Sequence, residues 1–170
     1  IRDSITNAQN ITLTNGSSID AVTLKIDGGE NRTAINISGN NPEAGREGEK
    51  DEQWRNNAYI LGYGDSNISD ADITIGAGGM LIQGATGDGT QEADKHSMTL
   101  TNSYVNVAKD GMMKSTNGSD FALNDTTIDL AGRIEGIVKN AETAVAFNGD
   151  EEQEEAAKGG VINVTSADAY

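Results

Sequence analysis

The sequence contains no cysteine and a single histidine, His96, among its 170 residues. Thiolate zinc sites, iron–sulfur clusters and cysteine nucleophiles all need cysteine, so each of these is excluded. A lone histidine also excludes the histidine-rich metal sites of many hydrolases. Proline occurs once and aromatic residues make up 4% of the chain. This poverty in reactive and aromatic side chains predicts that the chain is not an enzyme.

A long hydrophobic run and an excess of positive charge are also missing. No run of about 18 apolar residues occurs, so we expect no membrane insertion by this segment. The formal net charge is -15, with 27 acidic against 12 basic residues. Because such a chain repels phosphates, nucleic acid is excluded as a partner.

The sequence does contain short segments in which apolar and polar residues alternate with a period of two. The runs are rich in Thr, Val and Ile, and they end at Gly, Asn, Asp or Ser. This pattern is typical of short, half-buried β-strands. The alternating residues are Ile11 and Leu13, Val22, Leu24 and Ile26, Ile35 and Ile37, Ile73 and Ile75, Met98 and Leu100, Val105 and Val107, Ile128 and Leu130, and Val161 and Val164.

The alternating segments also repeat along the chain. Residues 68–75 align without gaps on residues 100–107 and on residues 123–130, and residues 13–21 give a version one residue longer. The spacing of 23 residues between the second and third copies is typical of solenoids, in which each repeat forms one rung. We therefore predict an all-β fold, a parallel β-solenoid (β-helix) of about six or seven rungs.

An antiparallel β-sandwich or jelly roll is the alternative fold, since it uses the same short strands and glycine-rich turns. Four dipeptides that favour tight hairpins support it. They are Asn15-Gly16, Asp27-Gly28, Asp110-Gly111 and Asn117-Gly118. The in-register repeat and the shortage of aromatic residues favour the solenoid.

Three polar insertions interrupt the pattern, at residues 39–57, 84–97 and 148–160. In a solenoid such insertions form loops on a face or an edge, where function tends to lie. We therefore expect residues 1–170 to form a single β-solenoid domain in which the rungs are scaffold and the insertions perform recognition.

The segments ITLTNGSSID, ADITIGAGGMLIQG and SMTLTNSYVNV combine strands with small polar or glycine corners, Gly-Gly in the second and Asn-Ser in the third. In this succession of strands and corners, over residues 11–37, 68–82 and 98–130, the chain resembles the passenger domains of bacterial autotransporters and filamentous-haemagglutinin-like surface proteins. The resemblance implies a right-handed parallel β-helix that acts as a non-catalytic adhesin, extracellular and on the bacterial cell surface. Its implied partner is a surface protein or glycan of a host or neighbouring cell.

The chain ends lead to a second hypothesis. Solenoid ends are unpaired strand edges that normally need caps, and no amphipathic capping helix is evident near Ile1 or Tyr170. The chain begins with Ile rather than Met, which predicts a processed product or a fragment of a longer passenger. If the ends instead pair with copies of the same chain, we expect a self-assembling subunit of an extracellular filament or surface matrix.

Catalytic residues have few candidates in this sequence. A Ser-His-Asp arrangement would have to use His96, and because no G-x-S-x-G elbow occurs we interpret His96 as a lone exposed loop residue. A carbohydrate-active β-helix enzyme is the third hypothesis, and it would need clustered acids. Its candidates are Asp20, Asp70, Asp72 and Asp129. We interpret them as outward strand positions or turn residues, and predict no catalytic residue.

Calcium is the metal that the acidic insertions suggest, because it binds clustered carboxylate, amide and carbonyl oxygens. The candidates are Asp88, Glu92 and Asp94 in the second insertion, with a further acidic group at Asp150, Glu151 and Glu152. Neither group matches an EF-hand loop, and solvated acidic loops are the alternative interpretation. No cofactor is required on either interpretation.

Aromatic residues are few, and three of them lie in or near the first insertion. Trp54, Tyr59 and Tyr63 are candidates for a sugar-stacking or protein-anchoring patch, because aromatic residues often anchor ligands. The alternative is that Trp54 covers core residues beside its loop.

Asn-x-Ser/Thr acceptor sequences are about three times more frequent than chance predicts. Random placement of the 17 Asn and the 26 Ser and Thr gives about 2.6 acceptors. Eight occur, at Asn10, Asn15, Asn31, Asn36, Asn67, Asn117, Asn124 and Asn163. The excess predicts an extracellular glycoprotein, or it reflects strands and turns that are rich in Asn, Ser and Thr.

Overall fold

The computed structural model describes residues 2–39, 57–87, 89–141 and 159–170. Within these residues, every strand pairs in parallel with strands three places away in chain order, and none pairs with its neighbour in sequence. Such pairing defines a parallel β-solenoid. The predicted fold is therefore confirmed, and the antiparallel sandwich is wrong.

Three parallel sheets run along the solenoid. Sheet A contains β1 (Arg2–Thr6), β4 (Thr23–Asp27), β7 (Ser66–Ser69), β10 (Ser97–Thr101), β13 (Asp120–Asn124) and β16 (Ile137–Asn140). Sheet B contains β2 (Asn10–Leu13), β5 (Thr33–Ile37), β8 (Ala71–Ile75), β11 (Tyr104–Val107), β14 (Thr127–Leu130) and β17 (Val161–Val164). Sheet C contains β3 (Ser18–Ala21), β6 (Ala58–Gly62), β9 (Gly79–Gln83), β12 (Met112–Ser115) and β15 (Arg133–Glu135). Among the residues that the structure describes, two short 3-10 helices, η1 (Gly29–Asn31) and η2 (Glu92–Asp94), lie between strands.

One strand from each sheet makes a rung. The described residues contain five complete rungs and a sixth strand in each of sheets A and B, which agrees with the lower end of the predicted rung number. Tyr170 takes the next position of sheet C. Its main-chain N–H donates to the Gly132 carbonyl (3.3 Å), and its carbonyl accepts from the Ile134 N–H (2.8 Å).

The predicted repeats occupy equivalent places in successive rungs. Ile68 pairs with Leu100, which pairs with Leu123 in sheet A, and the apolar residues that follow pair in sheet B. The alignment of residues 13–21 is wrong, because Leu13 ends β2 in sheet B and Ile19 lies in sheet C. The corner between β2 and β3 is a polar stretch between apolar residues, like the corners between sheets A and B, so the pattern does not tell these corners apart.

The core consists of aliphatic side chains stacked in columns at the inward strand positions. In sheet B the two columns are Ile11, Ile35, Ile73, Val105 and Ile128, and Leu13, Ile37, Ile75, Val107 and Leu130. From the second rung to the fifth, these side chains are at most 6% exposed. Burying one of them is worth about 1.5–3 kcal/mol, so the columns hold the rungs in register.

A single left-handed residue forms most corners between sheets A and B. Asp70 (φ 50), Asn102 (φ 44) and Asp125 (φ 47) occupy successive corners. The main-chain N–H of Asp70 donates to the Thr101 carbonyl (3.1 Å) and that of Asn102 to the Asn124 carbonyl (2.9 Å), which continues the ladder around the corner. Asn and Asp adopt this conformation at a lower cost than other residues with a Cβ.

The dipeptides that favour hairpins lie at corners as well. Asp110 (φ 64) lies between sheets B and C, whereas Asn117 (φ 53) and Gly118 (φ 79) lie between sheets C and A. A left-handed residue is needed by tight hairpin turns and by these corners alike. The dipeptides therefore mark a turn without fixing which strand pairs next.

The three insertions connect strands that keep their places in the rungs. They fall between β5 and β6, between β9 and β10, and between β16 and β17. Most of the second is described, including η2, whereas most of the first and third lies outside the described residues. β6 still pairs with β3 and β9, and β17 still pairs with β14.

Candidate functional site

The outer face of sheet B carries two columns of outward side chains, because side chains alternate across each strand. The first column is Asn10, Ala34, Asp72, Tyr104, Thr127 and Val161. The second column is Thr12, Asn36, Thr74, Asn106, Asp129 and Asn163. All twelve are exposed or half-exposed, and we call them the B face. Neighbouring rungs lie about 4.8 Å apart, so amide, hydroxyl and carboxylate groups recur at that interval.

Tyr104 lies near the middle of the B face. Its side chain is 39% exposed, and its hydroxyl donates to Asp129 Oδ2 (2.5 Å). Asp129 Oδ1 accepts a second bond from Asn163 Nδ2 (2.9 Å). Three rungs thus contribute a hydroxyl, a carboxylate and an amide to one connected group, and the Tyr104 side chain stays partly exposed within it.

The electrostatics of this group follow from the same two bonds. The hydrogen bond from Tyr104 lowers the pKa of Asp129, and the bond from Asn163 lowers it further. The pKa of Tyr104 is raised, chiefly because its hydroxyl donates to the Asp129 carboxylate. Asp129 is therefore an ionised acceptor at neutral pH, which makes it unsuited to general-acid catalysis.

Arg32 secures the edge of the B face beside Asp72. Its guanidinium forms a bidentate pair with the Asp72 carboxylate, the shorter distance being 2.7 Å from Nη2 to Oδ1. Nη1 donates to the Asn102 carbonyl (2.9 Å) and Nη2 to the Ala71 carbonyl (3.1 Å). The hydrogen bond to Asp72 raises the pKa of Arg32. These contacts tie three rungs together, and Arg32 itself has a positive φ (φ 52, ψ 144).

The four acids considered for carbohydrate chemistry do not converge. Asp72 and Asp129 share the B face, but they lie in adjacent columns, opposite Tyr104 and Asn106 respectively. Asp70 is a corner residue that accepts a hydrogen bond from an amide (2.6 Å). Asp20 lies in sheet C rather than in the predicted stack, because the alignment that placed it there used the wrong corner.

The calcium candidates are only partly described. Asp88 lies outside the described residues, as do Asp150, Glu151 and Glu152. Glu92 pairs with Lys95 (2.5 Å), and Asp94 has its carboxylate beside Gly87. Within the described part of the chain, no three His, Cys, Asp or Glu side chains form a group able to hold a metal ion. The calcium site stays a prediction.

Two of the three aromatic candidates, Tyr59 and Tyr63, lie at sheet C. Tyr59 is outward-facing on β6 but only 8% exposed, and it packs with Leu61, Met80 and Met112, with Tyr63 at the edge of the cluster. Little of the Tyr59 ring is left for a ligand. Trp54 lies outside the described residues.

All eight acceptor asparagines are exposed or half-exposed. Asn10, Asn36 and Asn163 lie on the B face, and Asn67 and Asn124 lie on sheet A. The other three occupy corners or η1. Glycosylation stays a prediction, and it would place glycans on the B face itself.

His96 is not the isolated loop residue that the sequence indicated. Its side chain is 19% exposed, and its ring lies between Asp65 and Thr86, with a hydrogen bond to each. Asp65 precedes β7 and Thr86 follows β9, so the solenoid brings together residues that are far apart in sequence.

Sequence reasoning missed Tyr104 and Arg32, and it considered Asn163 only as a glycosylation acceptor. The signal for Tyr104 was available, because the gapless repeat already placed it at the outward position of Asp72 and Thr127. Arg32 gives no such signal, since its contacts depend on a corner that the repeats do not share.

Comparison of the chain with protein-family models, with curated proteins and with solved structures found no match. Among the described residues, no helix has the length and apolarity needed to cross a membrane. The resemblance to autotransporter passenger domains stays a prediction, carried by the succession of strands and corners in the sequence.

Proposed function

We propose that this chain is an extracellular, adhesin-type binding module of a bacterial cell surface, and that its B face binds a glycan. The observation that carries the proposal is the connected group of Tyr104, Asp129 and Asn163 on the outer face of sheet B. The rest of the solenoid serves as a scaffold that keeps these groups at a fixed spacing.

The chemistry of the B face supports a sugar ligand. An ionised Asp accepts hydrogen bonds from sugar hydroxyl groups, and an Asn amide both donates and accepts them. Tyr offers a rigid apolar ring with a polar tip. Tyr104 provides that ring, Asn106 lies two residues further along the same strand, and Asp72 lies opposite Tyr104 on β8. A pyranose ring over Tyr104 would have hydroxyl groups within reach of both columns.

The charge of the B face restricts the class of glycan. Asp72 is neutralised by Arg32, whereas Asp129 is ionised and is bound only by neutral donors. Because the whole chain carries -15, an anionic sugar would be repelled. The preferred ligand is therefore a neutral or amine-bearing glycan.

A glycan array probed with the full chain tests this proposal. We expect binding to neutral or amine-bearing glycans, and we expect Tyr104→Ala to weaken it at least about tenfold, as loss of a central aromatic contact does. Tyr104→Phe keeps the ring and should retain more affinity than Tyr104→Ala.

Asn67→Ala on sheet A is the matched control, because Asn67 is an outward strand residue away from the B face. The proposal fails if Tyr104→Ala binds like the original chain, or if the array captures only sulfated or sialylated glycans. Binding to a protein but to no glycan would leave an adhesin without the sugar ligand proposed here.

A further inference from the structure

Thr86, His96 and Asp65 form a second group, separate from the B face. Thr86 Oγ1 lies 3.0 Å from His96 Nε2, and His96 Nδ1 lies 3.1 Å from Asp65 Oδ1. A hydroxyl, an imidazole and a carboxylate thus follow one another in hydrogen-bonding distance. This order is the arrangement of a nucleophile, a base and the group that orients the base.

The imidazole is held from several sides. Asp65 Oδ1 also accepts from the main-chain N–H of Ser97 (3.2 Å), which fixes the carboxylate relative to the ring. The main-chain N–H of His96 donates to Ser119 Oγ (3.0 Å), and its carbonyl accepts from the Asp120 N–H (3.0 Å). Contacts from three rungs therefore set the position of the ring before any substrate arrives.

These contacts determine which ring nitrogen carries the proton. An ionised carboxylate only accepts hydrogen bonds, so the neutral ring places its proton on Nδ1 and donates to Asp65. Nε2 is then left with a lone pair, which accepts the hydroxyl proton of Thr86. Thr86 is an exposed residue, whereas the His96 side chain is only 19% exposed.

We propose that Thr86 is a nucleophile that accepts an acyl group, with His96 as its general base and Asp65 as the residue that positions His96. In the reaction, Thr86 Oγ attacks the carbonyl carbon of an ester while His96 Nε2 takes the hydroxyl proton. The ester C–O bond then breaks, and the alcohol leaves with the proton returned from His96. The products are an acyl-Thr86 ester and a free alcohol.

The surroundings of Thr86 indicate the class of ester. Glycine follows it at position 87, where a Cβ would lie only 2.7 Å from the Asp94 carboxylate. The Asp94 carboxylate therefore lies beside the residue that follows Thr86. A neutral ester suits this site better than an anionic one.

The reaction is tested with p-nitrophenyl acetate as the neutral ester. We expect release of p-nitrophenolate by the full chain, with an acetyl group on Thr86 identified by mass spectrometry after proteolysis. Thr86→Val should abolish both signals, and His96→Gln should lower the rate about a hundredfold or more, as loss of a general base does. Thr90→Val, which alters a second exposed threonine of the same insertion, is the matched control and should react like the original chain.

Two results would overturn the nucleophile assignment. One is an unchanged rate in Thr86→Val, and the other is an acetyl group that maps to His96 or to a lysine instead of Thr86. Each variant is compared by circular dichroism, so that a loss of fold is not read as a loss of chemistry.

The role of Asp65 can be tested separately by imidazole ¹⁵N NMR, because His96 is the only histidine in the sequence. The imidazole ¹⁵N signals of the chain therefore report this ring alone. We expect the Nδ1–H form in the original chain, a shift away from it in Asp65→Asn, and an acetylation rate at least about tenfold lower. Asp65→Glu keeps a carboxylate and should restore part of the Nδ1–H population and part of the acetylation rate. An unchanged imidazole form and rate in Asp65→Asn would show that Asp65 does not position the base.

Discussion

At the scale of single residues, side-chain identity matters most at the corners between sheets A and B. Asn102 combines a left-handed backbone (φ 44) with a hydrogen bond from its amide to Asp70 Oδ1 (2.6 Å). The same corner supplies the carbonyl that accepts from Arg32. A corner residue thus affects its own turn and the rungs on either side.

Replacing Asn102 separates the backbone contribution from that of the side chain. We expect Asn102→Ala to lower the free energy of unfolding by about 1–2 kcal/mol, because alanine adopts the left-handed region poorly and the amide bond is lost. Asn102→Gly loses only the side-chain hydrogen bond to Asp70, so it should lower the free energy of unfolding by less than Asn102→Ala does. Urea unfolding measures both, and a glycine variant less stable than the alanine variant would contradict this account of the corner.

The carboxyl of Asp129 gives a pH-dependent prediction. Its pKa in the folded chain lies below the ordinary 3.8, first because of Tyr104 and then because of Asn163. The stabilisation is therefore complete above the ordinary value and is lost as the pH falls through the lowered pKa. Tyr104→Phe should raise the pKa of Asp129 more than Asn163→Ala does. A ¹³C NMR titration of the carboxyl measures both shifts, and the reverse order would be incompatible with the geometry.

At the scale of elements, the period-two pattern explains why each strand has one face in the core. Ile73 is 1% exposed and stacks between Ile35 and Val105, whereas the next residue, Thr74, is outward and exposed. Adjacent residues of one strand therefore contribute very differently to stability.

Alanine at these two positions tests the assignment of strand faces. Ile73→Ala should lower the free energy of unfolding by about 2–5 kcal/mol, because it removes buried methyl groups and leaves a cavity. Thr74→Ala should change it by no more than about 0.5 kcal/mol. Comparable effects at the two positions in chemical denaturation would mean that β8 does not present these faces.

How far the sequence predicts the molecule depends on the element. The gapless repeat predicted the solenoid and the pairing of Ile68 with Leu100, because successive rungs stack like residues on like residues. It failed for Leu13, since a polar corner between sheets B and C resembles one between A and B. The group around His96 could not be predicted, because Asp65 and Thr86 meet only after the solenoid has turned.

At the scale of the whole molecule, the acidity is unevenly distributed along the chain. The three predicted insertions hold 13 of the 27 acidic residues and 5 of the 12 basic ones. They therefore contribute -8, the difference between 5 and 13, to the net charge of -15. The B face lies on the rungs, where Arg32 neutralises one of its two aspartates. The charge of the molecule thus selects against anionic ligands without occupying the polar groups of the B face.

An NMR titration of the ¹⁵N-labelled chain with a neutral glycan selected on the array tests the central claim most directly. We expect the largest amide shifts in β8, β11 and β14, centred on Tyr104, with little change in sheets A and C. The same titration of Tyr104→Ala should show no saturable shifts. Saturable shifts centred on sheet C, or on the second insertion, would contradict the assignment of the B face as the binding surface.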